Sequence, residues 1–340
     1  MKKKILLTGA TGTVGKEVLK QLLIKDCYNI SVFSQLSSKN KKFFTTYNKN
    51  IDVIYGDLSN ENNVANINTE FECVIHLAAI IPPLADDHPE KAYAVNVKGT
   101  ENLIRTIEKS SPKSFFIYSS SISVYGDRVC NPEIKVGDPL NPSTGDKYGR
   151  TKIEAEEIIK NSQLDWSIFR LCAIMGVKNH KMSKLMFHMP LATSIEIATP
   201  GDTARAFVNG IEKRKQLTNQ IFNLGGGEHC RTTYKDLLTR SFKIYGLGKL
   251  NFPDKTFAEK NFHCGYYADG NQLEKIVEFR KNNLDYYFTM NQKSIHLIQK
   301  LITSLLKTPI KYFLTKQSEP LKAYNKEDET LKNKFFNQPD

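Results

Sequence analysis

The sequence predicts an α/β chain: a doubly wound, parallel sheet over the first part, followed by a smaller C-terminal α/β region. Three observations carry this. Short apolar runs rich in strand formers alternate with helical patterns over about the first 175 residues. The first run passes directly into a glycine turn and then a helix. The chemically useful residues fall at or near the carboxyl ends of the runs, where open parallel sheets hold their ligands.

Bulk properties narrow the function. At 340 residues, the chain suits one large domain, or one domain with an appendage. No stretch reaches the roughly 20 apolar residues of a membrane span. The basic start at Lys2 to Lys4 leads into a run that breaks at Thr8-Gly9, too soon for a signal peptide. Six cysteines (Cys27, Cys73, Cys130, Cys172, Cys230, Cys264) show neither metal-type pairing nor a compact disulfide framework. A reduced, cytoplasmic setting is expected, with no metal. The net charge of +12 comes mainly from scattered lysines without an Arg-rich helix or a stacking motif, so nucleic acid is not the expected partner.

Lys4–Thr8 is the first strand. It delivers Gly9-Ala10-Thr11-Gly12-Thr13-Val14-Gly15 and then a helix marked by Val14, Val18, Leu19, Leu22 and Leu23. Gly9 permits a tight turn, Gly12 a close approach to a pyrophosphate, and Gly15 close helix–strand packing. The helix N-terminus offers free N–H groups to phosphate. This is the loop of a Rossmann-type sheet, spaced Gly-x-x-Gly-x-x-Gly. A second strand spans 29–34. It ends in Ser34-Gln35 with no acid to hold a ribose 2′-hydroxyl, and Ser37, Ser38, Lys39, Lys41 and Lys42 follow. Hydroxyls and lysines there tilt the cofactor expectation towards NADP, with NAD kept open. A solvated loop is the plain alternative.

The third strand, 51–55, ends in Gly56-Asp57-Leu58, where Asp57 could hold an adenine amino group. The fourth, 73–79, ends in Leu77, Ala78 and Ala79, small enough for a ring or ribose to lie against the backbone. His76 inside it reads as a core residue. Residues 89–109 form a long helix containing Asn96. The fifth strand, 114–118, delivers Ser119-Ser120-Ser121, and the sixth covers 165–174. Just after Pro142, Ser143 and Gly145, a helix opens near Lys147. Tyr148 and Lys152, four residues apart, share one face of it. A neighbouring ammonium is expected to draw the phenol's pKa down towards neutrality. A half-buried tyrosine beside a solvated lysine is the alternative reading of such a pair.

Together these motifs resemble the extended short-chain dehydrogenase/reductase family, the NAD(P)-dependent epimerase/dehydratase-like group. The matching elements are Thr8–Gly15, Gly56-Asp57-Leu58, His76-Leu77-Ala78-Ala79, Asn96-Val97-Lys98-Gly99-Thr100, Tyr118–Gly126 and Tyr148-x-x-x-Lys152, with Arg170 and Gly176 beyond the sixth strand. The resemblance spans residues 1 to about 240. It implies that Ser121, Tyr148 and Lys152 are catalytic. It also implies cofactor contacts at Gly9, Thr11, Gly12, Thr13, Val14, Gly15, Asp57, Leu58, Leu77, Ala78, Ala79, Asn96, Ser119, Tyr148 and Lys152. Tyr148 would move a proton at a substrate hydroxyl or carbonyl, Ser121 would stabilise charge on the same oxygen, and the nicotinamide would carry hydride.

Departures narrow the reaction. Sugar dehydratases of the family usually carry Asp-Glu directly after the catalytic hydroxyl; here those positions are Ile122 and Ser123, which argues against dehydration. The stretch Ser194–Asp202 lacks the arginine of many nucleotide-sugar members, so a smaller carbonyl or hydroxyl compound fits at least as well as a nucleotide sugar.

Residues 221–227 followed by 232–238 read as strand, glycine turn and capped helix within the smaller region. A second phosphate loop is conceivable there, a simple turn more usual. His263-Cys264-Gly265-Tyr266-Tyr267 could line a substrate pocket or could be packing. From Asn291, an apolar stripe at helical spacing (Ile295, Leu297, Ile298, Leu301, Ile302, Leu305, Leu306) precedes Lys307, Pro309, Lys311 and Lys316. Such a basic amphipathic helix can lie on an anionic membrane, but more often packs on its own domain or a second subunit. Membrane contact is therefore not the expectation, and a homodimer is left open. Residues 319–340 are charged and asparagine-rich, the composition of a poorly ordered tail.

The expected division is a dinucleotide domain at 1–175, an interleaved substrate region at 176–290, and a helix with a flexible tail at 291–340. The expected function is an NAD(P)-dependent oxidoreductase or epimerase. The rival is a non-catalytic dinucleotide-binding regulator or scaffold of the same fold, which the intact Ser121, Tyr148 and Lys152 argue against.

Overall fold

The computed structural model describes residues 2–47, 49–177 and 182–336. Its strands in chain order begin with β1 (Lys3–Thr8), β2 (Tyr28–Ser34), β3 (Ile51–Tyr55), β4 (Cys73–His76), β5 (Phe115–Ser121) and β6 (Glu133–Ile134). They continue with β7 (Asp165–Leu171), β8 (Ala173–Ile174), β9 (Ser194–Ala198), β10 (Gln220–Leu224), β11 (Arg231–Thr233) and β12 (Tyr266–Tyr267). Seven of them form one sheet in the order β10-β7-β5-β4-β1-β2-β3, with every neighbouring pair parallel.

The sequence dictates this sheet through alternation. On β1, Ile5 and Leu7 enter one core while Leu6 enters the other, so both faces are buried and the run reads as continuously apolar. The helix Thr13–Lys25 covers the first face with Val18, Leu19 and Leu22, beside Ala204 and Phe207 of the helix Pro200–Gly210. The second face is covered by Leu103, Ile104 and Ile107 of the helix Gly99–Ser110 and by Ala155 and Ile159 of the helix Lys147–Lys160. Strand order reverses between β1 and β4, and ligands in such folds settle in the crevice beyond that point.

A third core fills the smaller region. There β11, β9 and β8 form a three-stranded sheet, and Phe187, Ile197, Tyr234, Phe242 and Phe257 pack together beside it. Phe187 meets Phe257 edge-on at 5.1 Å between ring centroids.

Three expectations need correction. The strand at 221–224 belongs to the large sheet and not to the smaller region: β10 pairs with β7 over its whole length, Ile221 opposite Ile168 and Leu224 opposite Leu171. A short run with Ile221, Phe222 and Leu224 looks alike in either place, and only the tertiary pairing distinguishes them. The fourth strand stops at His76, three residues before the expected end.

The tail is the third correction. It is helical at Glu319–Asn325 and Glu329–Phe335, and it packs on the body. Phe335 and Phe336 are buried in a small cluster with Ala258 and Ala323, and the Glu259 amide donates to the Phe335 carbonyl at 2.7 Å. Composition suggested disorder, but two adjacent phenylalanines suffice to seat the segment at about 2–3 kcal/mol each when fully buried. Residues 337–340 of that expectation lie outside the described residues.

Candidate active site

The glycine loop leaves β1 at the reversal point. Gly9 has φ of +74°, and a Cβ there would lie 2.7 Å from the Ala78 amide nitrogen, so the loops after β1 and β4 touch. A Cβ on Gly15 would sit 2.1 Å from the Gly9 carbonyl oxygen, which is how closely the helix crosses the turn. The helix Thr13–Lys25 starts at Gly12 without a side-chain cap, and Thr11, Gly12 and Thr13 are partly or fully open to solvent. Its first amides are therefore free to receive an anion. Leu77, Ala78 and Ala79, half-buried, form the facing wall, and the Ala78 amide donates to Thr8 Oγ1 at 3.2 Å. A dinucleotide pyrophosphate fits this cradle.

Past β3, Asp57 Oδ1 accepts from the Ser59 amide and hydroxyl at 2.9 and 2.7 Å, and Oδ2 accepts from Gln35 Nε2 at 3.1 Å. Burial opposes its charge, yet these bonds and Lys91 hold the carboxyl below its ordinary range. Leu58 is buried beneath Gly99. Ser37 caps the helix Ser38–Thr45 by accepting from the Asn40 amide at 3.1 Å, while Lys39, Lys41 and Lys42 are exposed.

Asp146 opens the helix Lys147–Lys160, its Oδ1 accepting from the Gly149 amide at 2.7 Å. One turn in, Tyr148 is half-buried and Lys152 is almost completely enclosed. Lys152 Nζ donates to the Ser119 carbonyl at 2.8 Å and to Tyr118 Oη at 3.0 Å, and it lies 5.8 Å from the centre of the Tyr148 ring. Ser121, at the end of β5, stands close enough to Tyr148 for its hydroxyl to act on the phenol. Ser121 Oγ in turn accepts from the Ser123 amide at 3.2 Å and the Ser123 hydroxyl at 3.0 Å. The expected trio is thus brought together.

The expected electrostatics are not. Burial raises the Tyr148 pKa above the ordinary phenol value, and the nearby Ser121 hydroxyl only partly opposes this. Burial lowers Lys152 to about 7, against the pull of Glu156. The Lys152 ammonium binds Tyr118 and Ser119 of β5 and not the Tyr148 oxygen, so desolvation outweighs the short-range attraction inferred from spacing.

Beneath the trio lies a polar chain. Glu156, one further turn along the same helix face, takes a two-pronged hydrogen bond from Arg170: Nε to Oε1 at 3.0 Å and Nη2 to Oε2 at 2.7 Å. Ser120 also donates to Glu156 Oε1. Arg170 Nη1 donates to Tyr125 Oη at 2.8 Å, and Tyr125 donates to Asn223 Oδ1 at 2.7 Å. β5, β7, β10 and the Tyr148 helix are locked together by it. Sequence reasoning missed Glu156, Tyr118 and Ser123. Glu156 was recoverable in principle, because Tyr148, Lys152 and Glu156 recur at intervals of four.

Other expected residues serve the frame. Asn96 sits in a π-helical turn, Ala94–Lys98. Its Nδ2 donates to the Ile80 carbonyl at 2.9 Å and Thr151 Oγ1 at 3.1 Å, and its Oδ1 accepts from the Ile80 amide at 2.7 Å. The Ser119 hydroxyl donates to the His76 carbonyl at 3.2 Å. His76 is fully buried between Thr8 and Thr100, and burial pushes it down to about 3, a neutral core histidine. At the second glycine turn the Gly227 amide donates to Glu196 Oε1 at 2.8 Å and the Gly226 amide to the Ile197 carbonyl at 3.1 Å. A buried carboxylate already occupies that turn, so it is no phosphate loop. His263 stacks on Phe262 and lies 3.8 Å from Asp146 Oδ2. Among the described residues no cluster suited to a metal ion is present.

Fold and site define a Rossmann-type chain of the short-chain dehydrogenase/reductase kind. The chain belongs to the NAD dependent epimerase/dehydratase family, whose sequence profile matches residues 5–225. It is 29% identical over 198 residues to a UDP-glucose 4-epimerase from Pisum sativum, covering 54% of this chain and 55% of the relative. It is 28% identical over 166 residues to D-erythronate dehydrogenase from Haemophilus influenzae, covering 46% and 49%. The chain thus spans about half the length of these curated relatives. Among solved structures, UDP-glucuronic acid 4-epimerase from Bacillus cereus in complex with NAD superposes with a TM-score of 0.68 at 21% identity, covering 85% of this chain and 97% of that one.

Proposed function

We propose that the protein is an NAD(P)-dependent oxidoreductase or epimerase acting on a hydroxyl or carbonyl centre of a small molecule or sugar derivative in a cytoplasmic setting. The observation that carries this reading is the junction at the end of β5. There the Ser121 hydroxyl stands beside Tyr148, and the enclosed Lys152 lies one helical turn away with its Nζ 5.8 Å from the centre of the Tyr148 ring. The free amides after Gly12 would hold the pyrophosphate, with Leu77–Ala79 beside them and Asp57 beyond. A bound nicotinamide would supply hydride transfer and, when oxidised, a positive charge.

The chain's own residues supply the rest. Raised by burial, Tyr148 holds its proton near neutral pH and is ready to give it to a substrate oxygen; it takes the proton back in the reverse direction. Ser121 Oγ already accepts from Ser123, so its hydrogen would be available to the same oxygen. Lys152 near its titration point tolerates proton exchange with little cost. Ile122 and Ser123 offer no carboxyl for water removal, so dehydration is not part of the proposal.

Ser37, Ser38 and the exposed Lys39, Lys41 and Lys42 favour NADP as the cofactor, while the family description and the NAD-bound neighbour favour NAD. Turnover of candidate alcohols and carbonyls, followed by nicotinamide absorbance and by product analysis for epimerisation, tests the proposal. Activity that disappears in Tyr148→Phe with cofactor binding retained supports it. Cofactor binding with full turnover in that variant rejects the catalytic assignment.

A further inference from the structure

The helices Leu297–Leu305 and Lys307–Gln317 turn apolar side chains away from the body of the protein. Leu297 is 85% exposed, Ile298 73%, Leu301 62%, Ile302 50%, Leu305 76% and Leu306 50%. Their spacing of three and four makes one continuous stripe. The first helix buries no residue at all; its backbone at Lys300 faces Gly246, and the stripe faces out. The second helix anchors Leu314 and Ile310 in the third core, yet leaves Tyr312 and Phe313 57% and 63% exposed. A contiguous apolar patch of this kind marks an interaction surface.

Charge selects the partner. From Tyr286 to Ser318 the sequence contains no aspartate or glutamate, while it contains Lys293, Lys300, Lys307, Lys311 and Lys316. None of these five lysines forms a salt bridge among the described residues. Lys311 Nζ donates to the Lys249 carbonyl and Asn251 Oδ1, which leaves Lys293, Lys300, Lys307 and Lys316 as the cations for the partner. A second copy docked through the same patch would bring these cations together without counter-ions, which disfavours a two-fold contact. An acidic lipid surface offers both missing complements, apolar chains for the stripe and negative head groups for the lysines. Exposed Tyr312 with Lys316 4.5 Å over its ring suits the boundary layer. At about 1.5 Å per residue either helix is far too short to cross a bilayer, and among the described residues no helix is long and apolar enough to do so.

We propose that these two helices seat the protein on the surface of an anionic phospholipid bilayer, lying in the interface plane. This revises the expectation that the stripe would be covered by protein.

The test is flotation of the full chain with vesicles of phosphatidylcholine alone and of phosphatidylcholine mixed with phosphatidylglycerol. The protein is expected to float with the mixed vesicles, to remain behind with the neutral ones, and to be released by high salt. Leu301→Asp with Leu305→Asp is expected to weaken the partition at least about tenfold. Lys300→Glu with Lys307→Glu should do so to a similar extent. Leu301, Leu305 and Lys307 are exposed and Lys300 is half-buried, and an unchanged circular dichroism spectrum and melting midpoint verify the fold of each variant. Absence of flotation with mixed vesicles, equal flotation with neutral ones, or unaltered flotation of the aspartate variant overturns the proposal. A solution dimer that the aspartate variant dissociates, without vesicle binding, overturns it in favour of a second copy.

Discussion

The helices Lys147–Lys160 and Leu297–Leu305 break the same rule in opposite directions. An ordinary surface helix turns charge outward and leucine inward. The first buries Lys152 and Glu156; the second exposes Leu297, Leu301 and Leu305. In the first, each buried charge has partners: Ser119 and Tyr118 for the lysine, Arg170 and Ser120 for the glutamate. In the second, the leucines keep most of their surface uncovered by the described chain. A violation satisfied from inside ties the helix to the sheet; one left open is the surface for which the lipid partner is proposed.

Four changes probe the contrast, taken from the largest expected effect downward. Tyr148→Phe should reduce turnover by about 10²–10⁴-fold while leaving the dinucleotide dissociation constant within a few-fold, read by steady-state kinetics and fluorescence titration. Glu156→Gln removes the carboxylate that Arg170 and Ser120 share and leaves a guanidinium buried, at a cost of about 3–5 kcal/mol by urea denaturation. Replacing both members, Glu156→Gln with Arg170→Met, should recover part of the loss. Full stability in the single variant would show that the pair does not hold the sheet to the helix.

The third change is pH. Lys152 is depressed from its ordinary value to about 7, so between about 7 and 10.5 the unfolded chain binds more protons than the native one. Its contribution to stability therefore rises with pH across that window and is least favourable below it. Compared with Lys152→Met, the wild-type protein should gain stability from pH 7 to pH 10 in urea midpoints. A difference independent of pH would contradict the depressed value. The smallest effect belongs to the outward helix: Leu301→Asp should change stability by no more than about 0.5 kcal/mol, because most of that side chain faces solvent. A loss of several kcal/mol would show that the stripe is covered after all.

The contrast also marks what the sequence made legible. β1 to β5, the glycine turn and the start of the helix at Lys147 were readable because local rules set them: apolar runs, a Gly-x-x-Gly-x-x-Gly turn, and the punctuation of Pro142, Ser143 and Gly145. The meeting of Ser121, Tyr148 and Lys152 was readable through the family resemblance and the carboxyl-end rule. Spacing along a helix could not reveal that Lys152 would bond to β5, because that depends on where Tyr118 and Ser119 point. Nor could it show the Ser123 hydroxyl behind Ser121, or that β10 pairs with β7. The tail misled because its charge obscured Phe335 and Phe336, the two residues that seat it.

The central claim is a dinucleotide site joined to a Tyr148 proton donor, and a titration by nicotinamide fluorescence tests it most directly. NADH and NADPH are titrated separately into the wild-type chain, Tyr148→Phe and Gly15→Val, the last placing side-chain atoms where only 2.1 Å separates a Cβ from the Gly9 oxygen. Saturable binding of at least one dinucleotide, retained by Tyr148→Phe and lost in a folded Gly15→Val, is the predicted result. Absence of saturable binding of either dinucleotide to the wild-type protein would contradict the account.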